Sequence, residues 1–187
     1  MDVRADNVVS TRERITAAAV ELFMQHRFDD VTLAGIAQSA GVSHQTVLNH
    51  FESKEGVALA AAEVIAAATE GARGVPPTGD PAAVVRVLVN EYERIGDANV
   101  QWVMDADRLG SLNAYLDRAR QAHTEWLESA FASELPVDTK ARRIALMAAY
   151  AATDVYTWKL LRRDFGFSKA ETQRVILHLV LGALRPQ

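Results

Sequence analysis

Apolar residues recur every three or four positions along most of the chain, and this is the period of a helix with one buried face. The first such face is formed by Ile15, Ala18, Ala19, Leu22 and Phe23. Ser10, followed three residues later by Glu13, forms a capping-box pattern and predicts the start of this helix. Sustained period-two alternation rich in β-branched residues is missing from the sequence. We therefore predict an all-α protein of about nine helices.

Hydroxyl residues mark the starts of the next helices, because their oxygens satisfy free backbone N–H groups. Thr32 precedes the second helix, Ser43 the third, and Ser53 a fourth that runs to about Arg73. Prolines and glycines then interrupt the pattern at 74–81, where Asp80 and the following proline restart a helix. Further helices are expected near 81–96, 98–108, 111–134, 139–164 and 168–185.

The last of these helices, which Ser168 and Glu171 would cap, is apolar on nearly every side. Its apolar residues are Val175, Ile176, Leu177, Leu179, Val180, Leu181, Ala183 and Leu184. A helix of this kind must be buried on several sides, and a partner subunit explains that burial most simply. We predict a homodimer through helices 139–164 and 168–185. The first of the two would contribute Ile144, Met147, Ala151, Val155, Trp158 and Leu161.

Residues 32–51 read as a helix, a three-residue turn at 41–43 and a second helix, which is typical of a DNA-reading helix-turn-helix. The two helices of this motif cross closely, so the first needs a small contact residue, and Ala37 fits. The turn needs a residue that tolerates positive φ, and Gly41 fits. Val47 supplies the apolar contact of the second helix. We expect an N-terminal three-helix domain at 1–52 and a C-terminal helical bundle at 53–187.

Charge does not support nucleic-acid binding. The formal net charge is −4, and residues 1–55 hold five Lys and Arg against eight Asp and Glu. The objection is softened because hydroxyls, backbone N–H groups and helix N-termini make many phosphate contacts. The chain has no cysteine, no apolar run of the roughly 20 residues that span a bilayer, and no apolar stretch at 1–10. A cytoplasmic protein without membrane contact is expected.

The motif and its flanks resemble the TetR family of bacterial transcriptional regulators. The matching positions are Thr11-Arg12-Glu13-Arg14-Ile15, Glu21-Leu22-Phe23, Val31-Thr32, Ile36-Ala37, Ala40-Gly41-Val42-Ser43, Thr46 and His50-Phe51-Glu52-Ser53-Lys54-Glu55. The resemblance implies a homodimer that binds a near-palindromic operator on double-stranded DNA, with the second helix of the motif in the major groove. It also implies a repressor that a small-molecule effector releases from DNA.

We predict DNA contacts at Thr32, Ser43, His44, Gln45, Thr46, Asn49, His50 and Lys54. Gln45 and Asn49 share a helix face, and either amide can pair with adenine, while the Thr46 methyl suits thymine. Phosphate contacts are predicted for His44, His50, Thr32 and Lys54. For His50, packing under the first helix is an equal alternative. The family often has lysine at the position of His44 and tyrosine at that of Leu48, so the grip on the DNA backbone is expected to differ here.

The effector is expected inside the bundle at 81–164, against Tyr92, Trp102, Asp105, Trp126, Tyr150 and Asp154. For each aromatic residue, an ordinary core role is the alternative. Asp154 lies in an apolar run, where a lone carboxylate is costly unless paired. It would pair with an arginine across the dimer, hold a tyrosine hydroxyl or meet a cationic ligand. His123, with Glu125 two residues away, is assigned to a solvated face rather than to a metal site.

An enzyme is the first rival interpretation. The sequence has no nucleophile elbow, phosphate-binding glycine loop, His-Glu-x-x-His or Glu-x-x-His pair, so no catalytic residue, cofactor or metal is predicted. The second rival is a helical ligand-binding or protein-interaction module whose helix-turn-helix has weakened DNA binding. The acidic balance of residues 1–55 and the replacements at His44 and Leu48 favour this second alternative.

Overall fold

The computed structural model describes residues 3–110 and 112–185, and the regular structure of these residues is helical throughout. Its α-helices are α1 Val3–Gln25, α2 Leu33–Ala40, α3 His44–Phe51, α4 Lys54–Arg73, α5 Pro81–Leu109, α6 Asn113–Ala130, α7 Thr139–Thr153, α8 Val155–Lys159 and α9 Lys169–Ala183. A 3-10 turn, Phe28–Asp30, links α1 to α2, and a π-helical turn, Leu160–Asp164, follows α8. The all-α prediction is confirmed over the described residues. Residue 111, where one helix was predicted to begin, lies outside them.

The chain forms two compact units. The first unit contains Met1–Thr69 and Gln101–Leu116, and the second contains Glu70–Val100 and Asp117–Gln187. The divisions fall within α4 and α5 and at the start of α6, so these helices belong to both units. The predicted domain boundary between residues 52 and 53 lies inside the first unit. As a division between a DNA-binding part and a ligand-binding part, it stays a prediction.

Side-chain caps begin several helices as predicted. At four helix starts, a side-chain oxygen accepts the N–H of the residue three positions later, at 2.9–3.1 Å. The accepting residues are Thr32, Ser43, Ser53 and Asp80. The predicted capping box of Ser168 and Glu171 is also formed. Local hydrogen bonds therefore fix these helix starts.

The predicted capping box at Ser10 is wrong. α1 begins at Val3, so Ser10 lies inside the helix rather than at its start. A cap residue needs non-helical backbone, and here the preceding residues continue the helix.

The predicted break between 96 and 98 is also wrong, because α5 runs without interruption from Pro81 to Leu109. Gly96 serves close packing instead of a turn. A side-chain carbon at this position would meet the ring of Trp158, which is fully buried. The missing side chain lets α5 approach Trp158 in the core of the second unit.

The predicted single helix 139–164 is divided at Asp154. This residue has extended backbone, with φ −66° and ψ 150°, and its carboxylate accepts the N–H of Tyr156 at 2.8 Å. Asp154 therefore ends α7 and caps α8.

The predicted subunit seam is only partly exposed. Val155, Trp158 and Leu161 are buried in the core of their own unit, so their assignment to the seam is wrong. By contrast, Ile144 and Met147 are 53% and 45% exposed. Ala151 is exposed as well. The break at Asp154 accounts for the difference, because it ends the helix periodicity on which the assignment rested.

Ion pairs anchor the π-helical turn to α5. Glu93 accepts two hydrogen bonds from Arg162, at 2.7 and 2.9 Å, and one from the indole N–H of Trp158 at 3.0 Å. Asp97 pairs with Arg163 at 2.8 Å. The Arg162 hydrogen bond lowers the pKa of Glu93 to about 2, from an ordinary value of 4.5. The pair therefore stabilises the folded state wherever Glu93 is ionised.

Replacing Gly96 with alanine is expected to lower the free energy of unfolding by about 1–3 kcal/mol, because the new methyl group would overlap the Trp158 ring. Urea unfolding followed by circular dichroism measures this change. Gly71→Ala is the matched control, since Gly71 lies on α4 with no neighbour within 4 Å of an added carbon. It should be neutral or slightly stabilising. Equal stability of G96A and the wild type would contradict the packing argument.

Replacing Glu93 with glutamine is expected to cost about 1–2 kcal/mol at neutral pH, because three hydrogen bonds lose their charged acceptor. The folded-state pKa is lowered, so this stabilisation is complete above pH 4.5 and is lost as the pH falls toward 2. In urea titrations at several pH values, wild type and E93Q should converge over that window. Glu128→Gln, at a more exposed ion pair with Arg142, should show a much smaller difference. A difference between E93Q and wild type that is independent of pH would refute the assignment.

Candidate nucleic-acid interface and effector region

The packing of the helix-turn-helix follows the prediction. Ala37 on α2 is 4% exposed and Val47 on α3 is fully buried. Gly41, between the helices, has left-handed backbone at φ 65° and ψ 39°. Its N–H donates to the carbonyl of Gln38 at 3.2 Å. These contacts confirm the fold of the motif.

Two arginines of α1 hold the ends of the motif's helices. Arg14 donates to the carbonyls of Ala40 and Gly41, at 2.6 and 3.2 Å, where α2 ends. Arg12 donates to the His50 carbonyl at 2.6 Å, near the end of α3. Its guanidinium lies 4.2 Å from the centre of the Phe51 ring. Cations are favoured at helix C-termini, so both contacts are stabilising.

Sequence reasoning gave these arginines no individual role. The only sequence signal was that the two arginines are two residues apart on α1. The fold is needed to show that Arg12 contacts α3 and Arg14 contacts α2.

The exposed part of α3 carries His44, Gln45 and Asn49. The Gln45 amide nitrogen donates to the Asn49 amide oxygen at 2.9 Å, so the two side chains lie together as predicted. This bond leaves the Gln45 oxygen and the Asn49 nitrogen for other partners. The pair therefore presents the Gln45 oxygen as an acceptor and the Asn49 amide nitrogen as a donor group.

The other predicted DNA contacts have partners within the first unit. Ser43 and Thr46 share a hydroxyl hydrogen bond of 2.8 Å, and Thr46 is half-buried. Thr32 and Ser43 cap α2 and α3, so these exposed side chains lie at two helix N-termini. His50 is half-buried, with its ring 6.3 Å from that of Phe51.

Lys54 is held against the 3-10 turn that precedes α2. Its ammonium donates to the Asp29 carbonyl at 3.4 Å and lies 4.2 Å from the centre of the Phe28 ring. Its predicted phosphate contact remains a prediction, and the structure adds this structural role.

The six predicted effector residues do not all lie in one compact unit. Trp102 and Asp105 belong to the first unit, whereas Tyr92, Trp126, Tyr150 and Asp154 belong to the second. The two groups are described in turn, and their assignment to an effector stays a prediction.

A buried polar network occupies the second unit. Arg73, the last residue of α4, donates to both carboxylate oxygens of Glu91 at 2.8 and 2.6 Å, and to His123 Nδ1 at 2.9 Å. Because arginine only donates, His123 carries its proton on Nε2, which lies 3.2 Å from the Thr153 hydroxyl. The network joins α4, α5, α6 and α7.

His123 is 8% exposed, so its assignment to a solvated face is wrong. Burial, together with the nearby Arg73, lowers the pKa of His123 to about 3 and keeps the ring neutral. Its periodicity on α6 was the missed signal, since Leu127 lies one turn further on and is fully buried.

Three predicted aromatic residues adjoin this network. Tyr92 donates to the Thr153 carbonyl at 3.0 Å, and burial raises the pKa of its hydroxyl. Trp126 faces the Arg73 guanidinium at 5.3 Å. The Tyr150 ring meets the His123 ring edge-on at 4.9 Å.

Asp154 has a role that none of the sequence alternatives included, since its carboxylate caps α8 through the Tyr156 N–H. Burial raises its pKa, and the Tyr156 hydrogen bond opposes that rise.

The first unit contains a recess with about 180 Å³ of empty space, part of it open to solvent. It is lined by Phe23, His26, Phe28, Gln101, Trp102 and Asp105. Trp102 and Asp105 are 9% and 6% exposed. The Trp102 indole N–H is buried and has no hydrogen-bond partner among the described residues.

Within the described part of the chain, no three His, Asp or Glu side chains gather into a metal-binding group. The helices described there are also too short or too polar to cross a lipid bilayer.

Comparison with known proteins supports the assignment of the helix-turn-helix. Residues 15–61 match the family described as "Bacterial regulatory proteins, tetR family". The chain is 43% identical over 58 residues to the HTH-type transcriptional regulatory protein RaaS of Mycobacterium tuberculosis. That alignment covers 31% of this chain and 27% of RaaS.

Two solved structures share the fold over nearly the whole chain. A tetR-family transcriptional regulator from Streptomyces coelicolor superposes with a TM-score of 0.80 at 20% identity, covering 98% of this chain and 82% of that one. The Thermus thermophilus repressor FadR, solved in complex with lauroyl-CoA, gives a TM-score of 0.51 at 24% identity, covering 94% of this chain and 96% of that one. The helix-turn-helix segment, residues 15–61, therefore matches the TetR family of bacterial regulatory proteins, and the aligned part spans less than a third of RaaS.

Proposed function

We propose that this protein is a ligand-responsive, DNA-binding transcriptional regulator that acts as a homodimeric repressor on a near-palindromic operator. The observation that carries the proposal is the exposed Gln45–Asn49 pair on α3, in a helix-turn-helix whose packing and turn are complete. α3 has the length and the exposed polar side chains that a helix in the major groove needs.

The pair has the chemistry to read adenine. Adenine presents N7 as an acceptor and its amino group as a donor in the major groove. The Asn49 amide nitrogen and the Gln45 amide oxygen complement that edge. Because the two amides already bond to each other in the free protein, less side-chain entropy is lost when DNA binds.

Phosphate binding would depend little on basic side chains. Arg12, Arg14 and Lys54 already bind carbonyls within the first unit. The N-termini of α2 and α3, capped by Thr32 and Ser43, offer backbone N–H groups and positive dipole ends instead. A shallow dependence of affinity on salt concentration is therefore expected.

A homodimer would cover apolar residues on two helices of the second unit. Ile144 and Met147 on α7, and Leu179 and Leu181 on α9, are between 43% and 53% exposed. The two helices pack against each other, so their exposed residues contribute to one surface. Exposed apolar surface of this kind marks subunit contacts.

The effector is proposed to bind in the second unit beside the Arg73 network, where Tyr92, Trp126 and Tyr150 place aromatic rings next to a few polar groups. The FadR complex supports this placement, because a TetR-family repressor of similar fold was solved with lauroyl-CoA bound. Arg73 ends α4, so a ligand that rearranges its contacts would shift α4 and the population competent for DNA. Catalysis is not part of this proposal, and the expected location is the cytoplasm.

One observation favours the second candidate, a helical ligand-binding or interaction module with weakened DNA binding. The first 55 residues are acidic, and three of their five basic side chains are engaged within the first unit. DNA selection decides between the two candidates.

Selection from a random DNA pool by the purified protein should return a near-palindromic site. On that site, Gln45→Ala and Asn49→Ala should each weaken binding by about 1–3 kcal/mol in fluorescence anisotropy titrations and relax the preference at the same base pair. Because the two side chains act as a pair, the double substitution should cost less than the sum of the single ones.

Gln121→Ala, at an exposed glutamine of α6, is the control and should bind as the wild type does. Failure to enrich any sequence would instead support the interaction module.

Replacing Leu179 with glutamate is expected to weaken the dimer by at least about tenfold, because the charge would be buried against the partner. Sedimentation velocity over a concentration series measures the monomer–dimer equilibrium. Val75→Glu, at a 91% exposed loop position, is the control and should leave the equilibrium unchanged. An unchanged dimer in L179E, or a monomeric wild type, would contradict the proposed interface.

A further inference from the structure

Leu48 is an apolar residue of α3 that the packing of the helix-turn-helix leaves partly exposed. Val47 is fully buried and Phe51 is 6% exposed, and these two residues form the inner face of α3. Leu48 is only half-buried, and it directly precedes the exposed Asn49. Part of its apolar surface therefore lies next to the amides that are proposed to contact bases.

Leu48 lies beside the Gln45–Asn49 pair on the surface of α3. Successive residues of an α-helix are turned by about 100° and rise by about 1.5 Å. Leu48 is therefore about 60° around the helix from Gln45 and about 100° from Asn49, and Thr46 holds the corresponding position on the other side of the pair. Neighbouring base pairs are about 3.4 Å apart, so a side chain beside the pair reaches the base pair next to the one that the amides contact.

The two flanks of the pair differ in chemistry. The Thr46 hydroxyl is 2.8 Å from that of Ser43, so this side chain is tied to the start of α3. Leu48 has no polar atom and can form a hydrogen bond neither with a phosphate nor with a base edge. Among the groups that base pairs present in the major groove, the C5 methyl of thymine is the apolar one. Contact with this methyl would remove apolar surface of both partners from water.

We propose that Leu48 contacts a thymine methyl group in the major groove, at a base pair next to the adenine that the Gln45 and Asn49 amides contact. Leu48 is then a specificity-determining residue, and each half-site contains two adjacent A·T pairs. This inference rests on the proposed function and adds a base preference that the amide pair alone does not create. Burial of one methyl group corresponds to about three- to fivefold in affinity.

Deoxyuridine is the probe, because it differs from thymidine only by the missing C5 methyl group. In the operator that selection from the random pool returns, each thymine of one half-site is replaced in turn. In anisotropy titrations, the wild type should bind about three- to fivefold more weakly after a replacement next to the adenine that Gln45→Ala and Asn49→Ala identify.

Substitutions on both sides of the pair assign this difference to one side chain. Leu48→Ala should bind the thymine and uracil operators equally. Thr46→Ser is the matched control, since it loses a methyl group but keeps the hydroxyl beside Ser43, and it should keep the wild-type difference. Val64→Ala, at a 49% exposed position on α4, should keep it as well. If circular dichroism shows that L48A does not fold, Leu48→Gln takes its place, because glutamine keeps the side-chain length and the helix propensity.

A second pair of operators separates the methyl group from the rest of thymine. Both carry a C·G pair at the sensitive position, with either cytosine or 5-methylcytosine. The wild type should bind the 5-methylcytosine form about three- to fivefold more tightly than the cytosine form. L48A should bind the two forms equally.

Equal binding of the thymine and uracil operators by the wild type would overturn the inference, and so would a difference that persists in L48A. A difference that persists in L48A and disappears in T46S would assign the methyl contact to Thr46 instead. In each of these cases the protein still binds its operator, so the proposed function stands. Failure to enrich any DNA site would overturn the proposed function and the role of Leu48 with it.

Discussion

The buried ion pair of Arg73 and Glu91 is the interaction on which the second unit depends. Removing either partner would leave an uncompensated charge at a site where both side chains are about nine-tenths buried. Arg73 also fixes the protonated nitrogen of His123, and His123 in turn reaches Thr153. One side chain at the end of α4 thus sets the polar contacts of three other helices. A buried network of this kind specifies one arrangement more than it adds stability.

The first unit uses its positive charges in a similar way. Arg12 and Arg14 neutralise the carbonyl ends of α3 and α2, and Lys54 fastens the turn before α2. The excess of acidic over basic residues in 1–55 argued against DNA binding. The structure shows in addition that three of the five basic residues there hold the motif together through backbone carbonyls. Readout is left to amides on α3 and to helix N-termini.

Local sequence signals predicted most helix starts, since a cap depends on residues only three positions apart. They failed at Ser10 and at Gly96. At Gly96 the glycine that resembled a break instead admits Trp158, which is 62 positions later in the chain. The prediction of a single helix over 139–164 failed because a break was missed rather than wrongly added. Asp154 was recognised as costly in an apolar run, but its solution is a new helix start that ends α7.

The sequence by itself determined the all-α class, the helix-turn-helix and the shared face of Gln45 and Asn49, because helical periodicity and turn chemistry are written in neighbouring residues. Only the tertiary structure decided which polar side chains meet inside each unit. Trp102 and Asp105 belong to the first unit and Tyr92 and Tyr150 to the second, and His123 is buried. These outcomes depend on contacts between residues distant in the chain, and periodicity carries no information about the partner across a helix interface.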